Sequence, residues 1–72
     1  MRIKTESNKL AVAALKGSRK RLGLTQKALA GITGLSVQMI ADYETYRARV
    51  PAGLILQVQQ LEKMRQTEKV AA

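Results

Sequence analysis

Residues 25–45 are Thr-Gln-Lys-Ala-Leu-Ala-Gly-Ile-Thr-Gly-Leu-Ser-Val-Gln-Met-Ile-Ala-Asp-Tyr-Glu-Thr, two short helical stretches separated by a tight turn. Thr25 predicts a helix N-cap, because its hydroxyl can accept from a backbone N–H that has no partner in the first turn. Gln26 to Thr33 then make two helical turns. Gly34 ends them, since the residue just past a helix C-terminus often needs a positive φ that glycine adopts without steric cost. Ser36 caps a second helix from Val37 to about Tyr43 or Glu44. Leu29 faces inward, small Ala30 lets the second helix approach closely, and Leu35 fills the corner. Ile40 and Tyr43, three apart, form the inner face of the second helix. Ser36, Val37, Gln38, Ala41 and Asp42 face outward as a mixed surface, not a uniformly charged one.

The order Leu24, Thr25, Gln26, then Leu29 and Ala30, then Gly34, Leu35 and Ser36, and later Ile40 and Glu44, resembles the helix-turn-helix of the Cro and phage-repressor (XRE-like) family. A looser likeness covers about residues 10–62, with Arg19, Leu22 and Gly23 upstream and Pro51 downstream. The chain departs from the pattern at three places. Thr33 stands where the family has an aliphatic residue, and Gly31 weakens its helix by about 1 kcal/mol relative to alanine. Thr45 and Tyr46 replace a turn that ordinarily holds Gly or Asn. The resemblance implies an all-α, lambda-repressor-like bundle of four helices, with a fifth left open, and the helix-turn-helix at the second and third. It implies a sequence-specific regulator of transcription that binds double-stranded DNA. A helix, a glycine turn and a helix also make a common corner in small helical domains. Charge is the second argument.

Thirteen Lys and Arg against five Asp and Glu give +8 over 72 residues. A polyanion is the simplest partner for such a chain, and nucleic acid comes first because neutralised phosphates release counterions. An acidic membrane is the rival, but no helix joins a wholly basic face to a bulky aromatic one. RNA is a weaker candidate, since Tyr43 and Tyr46 are the two aromatics and make no stacking platform. The length allows one domain with a small core. Without cysteine or histidine there is no disulfide framework and no Cys/His metal site, which suits a reducing compartment. No apolar run reaches the length of a membrane span. The expected location is the cytoplasm of a bacterial host cell, or its nucleoid.

In chain order, residues 1–6 alternate in polarity like a strand without a partner and read as a flexible arm, whose Arg2 and Lys4 can trail along phosphates or into a minor groove. The domain is expected over residues 7–66. Ser7 caps a first helix reaching about Arg21, with Ala11, Leu15, Ser18 and Leu22 as its buried stripe and Leu10 and Ala14 at the edge. Gly23 closes it and Leu24 returns to the core. Residues 45–51 form a loop in which Arg47 and Arg49 alternate, and Pro51 suits the first turn of a last helix from Ala52 to about Gln66. Leu54, Val58 and Leu61 share its core face. Leu56 points away from them into water, either as a lone exposed leucine or as a self-association surface with Ile55, Gln60 or Met64. Residues 67–72 carry no motif and read as a frayed tail.

Catalysis needs convergent acids, bases or nucleophiles. One Asp and four scattered Glu do not supply them, so the expectation is a non-enzyme without cofactor, metal or small-molecule ligand. Within the resemblance, the helix at Val37–Tyr43 enters the major groove. Gln38 is then the best base reader, because an amide can bond adenine N6 and N7 together. Val37 can pack on a thymine methyl, and Ser36, Ala41 and Asp42 complete the base-facing set. Gln26, at a helix N-terminus, can hold a phosphate. Lys27, Arg19, Arg47 and Arg49 add charge there, with the Tyr46 hydroxyl beside them. The family also pairs an Arg at the position of Arg19 with a Glu at that of Glu44. One module offers a small interface, so a homodimer on a palindromic operator is expected, acting by repression, with activation also open. The alternative is a small helical adaptor or antitoxin that uses Ile55, Leu56 and Met64 to hold a protein.

Overall fold

Each of the first three helices starts where a hydroxyl can satisfy a free N–H. The Thr5 hydroxyl accepts from Asn8 N–H (3.3 Å) at the head of α1 (Glu6–Arg21), and Thr25 from Ala28 N–H (3.0 Å) at the head of α2 (Gln26–Thr33). Ser36 accepts from Met39 N–H (3.1 Å) and opens α3 (Val37–Glu44). A last helix, α4 (Ala52–Ala71), follows Pro51. The computed structural model describes the backbone of residues 2–71 and the side chains of residues 2–65. Among these residues the fold is all-α.

The helix ends follow from a few left-handed residues. Gly23 (φ 70°) and Gly34 (φ 76°) close α1 and α2. At the end of α1, Leu24 N–H donates to the Arg19 carbonyl and Gly23 N–H to that of Lys20. The same pair of hydrogen bonds recurs after α3, where Arg47 N–H donates to Asp42 O (2.8 Å) and Tyr46 N–H to Tyr43 O (3.3 Å). Tyr46 (φ 66°) thus occupies a place that favours glycine, at a backbone cost of about 1 kcal/mol.

Val12, Leu15, Leu29, Ala30, Ile40, Tyr43, Val50, Leu54 and Val58 form one buried cluster. α1 packs on α4 and α3, and α2 packs on α3. Leu24, Leu35, Tyr46, Ala48 and Ile55 close it from the sides.

Four expectations are corrected. The cap of α1 is Thr5, not Ser7, so the helix begins at Glu6. Its buried face keeps Leu15, Ser18 and Leu22 of the expected stripe but extends past it: Val12 is fully buried, Ala11 is half-buried, and Leu10 is 65% exposed. The physical reason is that polar Asn8 and Arg19 lie on the inward side of α1, near Val12 and Leu15 at 100° per residue, so the apolar pattern alone finds one side of the buried face and misses the other. The arm is not free, because Ile3 N–H donates to the Tyr46 carbonyl and Asn8 Nδ2 donates to the Ile3 carbonyl (2.6 Å). Finally, α4 runs on to Ala71 instead of ending near Gln66. The expected fraying at residues 67–72 lies beyond the described side chains and, at residue 72, beyond the described backbone.

Candidate nucleic-acid interface

Glu44, the last residue of α3, fixes the helix-turn-helix against α1. Its carboxylate takes the Arg19 guanidinium in a two-point grip, Nε to Oε2 at 2.7 Å and Nη2 to Oε1 at 3.0 Å. Arg19 Nη1 also donates to the Leu24 carbonyl (2.9 Å), and Gln26 Nε2 donates to Glu44 Oε1 (3.1 Å). The Glu44 side chain is 3% exposed and that of Arg19 15%. One carboxylate therefore joins the end of α1, the start of α2 and the end of α3, and no buried polar side-chain atom among the described residues lacks a partner. Half-buried with its donors engaged, Arg19 belongs to the frame of the domain more than to its surface. Gln26 likewise turns an amide nitrogen inward.

With α3 held in this way, its outer side stands clear. Ser36, Val37 and Gln38 are exposed, while Ala41 and Asp42 are half-buried. Ser36 is engaged as the helix cap through its oxygen. Gln38 Nε2 donates to Asp42 Oδ1 at 2.9 Å, one turn along. Met39, absent from the sequence-derived set, is also exposed. Its signal was geometric: at 100° per residue it lies only 60° from Asp42.

Cations flank this face. Lys27 is exposed on the first turn of α2, and Arg47 and Arg49 are exposed on the loop after α3, with half-buried Tyr46 beside them. Among the described residues no carboxylate pairs with these three. An outward helix with a mixed polar face, set between unpaired cations, suits the edge of a base pair with phosphates on either side. A model of the Cro-type helix-turn-helix family matches residues 15–59, a span that includes α2, the turn and α3. The chain belongs to that family. Its helix-turn-helix is that of a family of DNA-binding transcription regulators. No curated protein and no solved structure matches the chain.

The residues expected to mediate self-association lie outside the helix-turn-helix, and Met64 stands apart from the other three. Leu56 (66% exposed) and half-buried Ile55 line a groove of about 510 Å³ between α1 and α4, together with Leu10 and Ala14. Gln60 is exposed on α4, in a shallow recess with Leu56, Gln59 and Lys63. Met64 is exposed in a separate recess with Leu22, Leu24, Ile32 and Leu61. No helix among the described residues is long and apolar enough to cross a membrane.

Proposed function

We propose that this helix-turn-helix protein is a Cro-like repressor that binds a palindromic operator as a homodimer, with α3 in the major groove and its N-terminal end leading. The observation that carries the reading is the outer face of α3, where Gln38 is exposed and held by Asp42, with Lys27 exposed on the first turn of α2 and Arg47 and Arg49 exposed on the loop after α3. Asp42 takes one amide hydrogen of Gln38. The carbonyl oxygen and the second hydrogen remain, which is the acceptor and donor pair that adenine N6 and N7 require. Asp42 therefore serves as the orienting group for Gln38 instead of a base contact of its own. Val37 meets a thymine methyl, Ser36 and Ala41 sit close to base edges, and Met39 adds apolar contact at the flank.

Lys27, Arg47 and Arg49 take phosphates, with the Tyr46 hydroxyl adding a neutral bond. Gln26 contributes mainly through the backbone N–H groups at the start of α2. Arg19 acts through the position it gives Glu44 and α3. Such a regulator works in the cytoplasm or nucleoid of a bacterial host, and it represses where its site overlaps a promoter.

The test is selection of bound sequences from a random duplex pool, followed by footprinting on the winner. A palindrome with half-site centres about 34 Å apart is the expected result. On that site Gln38→Ala lowers specific affinity by about 1–3 kcal/mol and spares nonspecific binding, whereas Arg47→Ala weakens every duplex alike. No enriched sequence would move the function to a protein partner seated on the Leu10, Ile55 and Leu56 groove.

A further inference from the structure

Asn8 is 2% exposed and makes two bonds that reach in different directions. Its Nδ2 donates to the Ile3 carbonyl at 2.6 Å, and its Oδ1 accepts the Val50 N–H at 3.0 Å. One buried amide thus holds both the segment before α1 and the loop before α4. The two segments also meet directly, through Ile3 N–H to the Tyr46 carbonyl and through Lys4 Nζ, 5.6 Å from the centre of the Tyr46 ring.

The alternation of side chains along both segments has a consequence for charge. Ile3 is half-buried between exposed Arg2 and Lys4, and Ala48 packs against the core between exposed Arg47 and Arg49. Four cations therefore emerge from neighbouring backbone beside the C-terminal end of α3. Among the described residues none of them pairs with a carboxylate. Like charges held this close repel each other unless a polyanion covers them.

We infer that Asn8 is a positioning residue that straps the N-terminal segment across the loop, and that Arg2, Lys4, Arg47 and Arg49 form one strip that takes the DNA backbone beyond the footprint of α3. The inference rests on the DNA-binding reading above and extends it. A strapped segment meets phosphates already in place, whereas a free terminus would lose conformational freedom on binding.

The test measures binding of the full chain to a mixed-sequence duplex across a salt series, where each phosphate contact contributes about 0.9 to the slope of log K against log salt. Arg2→Gln with Lys4→Gln is expected to lower the slope by about 1.8, as Arg47→Gln with Arg49→Gln does. Asn8→Ala, checked by its thermal transition, is expected to produce the same loss as the Arg2 and Lys4 pair, and adding that pair of changes to it should produce nothing more. Ile3→Pro removes the N–H given to Tyr46 without touching the core of α1, and offers a second route to the same result if Asn8→Ala does not fold. A steep wild-type slope that the Arg2 and Lys4 changes leave intact overturns the strip. Losses that add fully to those of Asn8→Ala, or of Ile3→Pro, overturn the strap. A wild type whose duplex binding ignores salt overturns the DNA reading itself.

Discussion

At the scale of single residues, the domain depends on a carboxylate that cannot be left alone. Glu44 holds Arg19 at two points and Gln26 at a third while almost wholly removed from water. Removing one partner of such a pair leaves an uncompensated charge, which costs about 3–5 kcal/mol, whereas replacing both with apolar groups of similar volume is often close to neutral. Glu44→Ala is therefore expected to destabilise by at least about 3 kcal/mol in urea unfolding, and Arg19→Met with Glu44→Leu by much less than the two single losses together. Additive losses would show that the pair is not a unit. Arg19 and Glu44 are named together by the family resemblance, and in the structure they meet. Asn8 was not legible in the sequence, because the worth of a buried amide is set by partners at Ile3 and Val50, the second of them far along the chain. The turn of the Gln26 amide back to Glu44 is hidden for the same reason, since nothing local in the sequence reveals it.

At the scale of elements, helix boundaries were legible where chemistry left one choice. Thr25, Gly34 and Ser36 each stand alone as a cap or a stop, and the structure places α2 and α3 between them. The start of α1 offered two hydroxyls, Thr5 and Ser7, and local pattern could not choose between them. Gly31 is the weak point inside α2. It is exposed, and a Cβ there would meet nothing within 4 Å, so Gly31→Ala is expected to stabilise the domain by about 1 kcal/mol and raise Tm by about 4–8 °C. A lower Tm would overturn the reading of position 31 as open space on α2. α1 and α4 are held by a different device, a two-point pair between Arg21 and Glu62 at 2.8 and 3.0 Å. Hydrogen bonds from Arg21, and then from the Ser18 hydroxyl, hold the Glu62 carboxyl at about 2, below its ordinary 4.5. The folded value is the lower one, so the contribution is fully present above pH 4.5 and is lost as pH falls toward 2. The Tm difference between wild type and Glu62→Gln should accordingly be constant above pH 4.5 and close as the solution is acidified toward 2. A difference that does not change with pH would mean that the carboxylate's charge adds nothing to the clamp.

At the scale of the whole molecule, charge and apolar surface pull against each other. Two copies of a chain with a formal charge of +8 repel in free solution, and salt screens that repulsion within about 10 Å at 0.1 M. DNA removes the same repulsion by supplying phosphates, so a modest apolar contact that cannot hold a dimer in solution can do so on an operator. For the proposed dimer the candidate contact is the groove between α1 and α4, lined by Leu10 and Leu56, both about two-thirds exposed. Leu56→Asp is the sharpest probe, because an exposed position on α4 should change stability by no more than about 0.5 kcal/mol. The change should leave affinity for a single half-site as it was and abolish the cooperative gain on the full palindrome, read as two independent binding steps in a titration. Leu10→Asp should do the same, since it faces the same groove from α1. Met64→Asp should not, because Met64 lies in the separate recess with Ile32 and Leu61. Cooperative binding that survives both Leu10→Asp and Leu56→Asp but is lost with Met64→Asp would transfer the dimer contact to that second recess. Cooperativity that survives all three would mean that the two copies are coupled through the DNA alone, for instance by a shared distortion of the base pairs between half-sites.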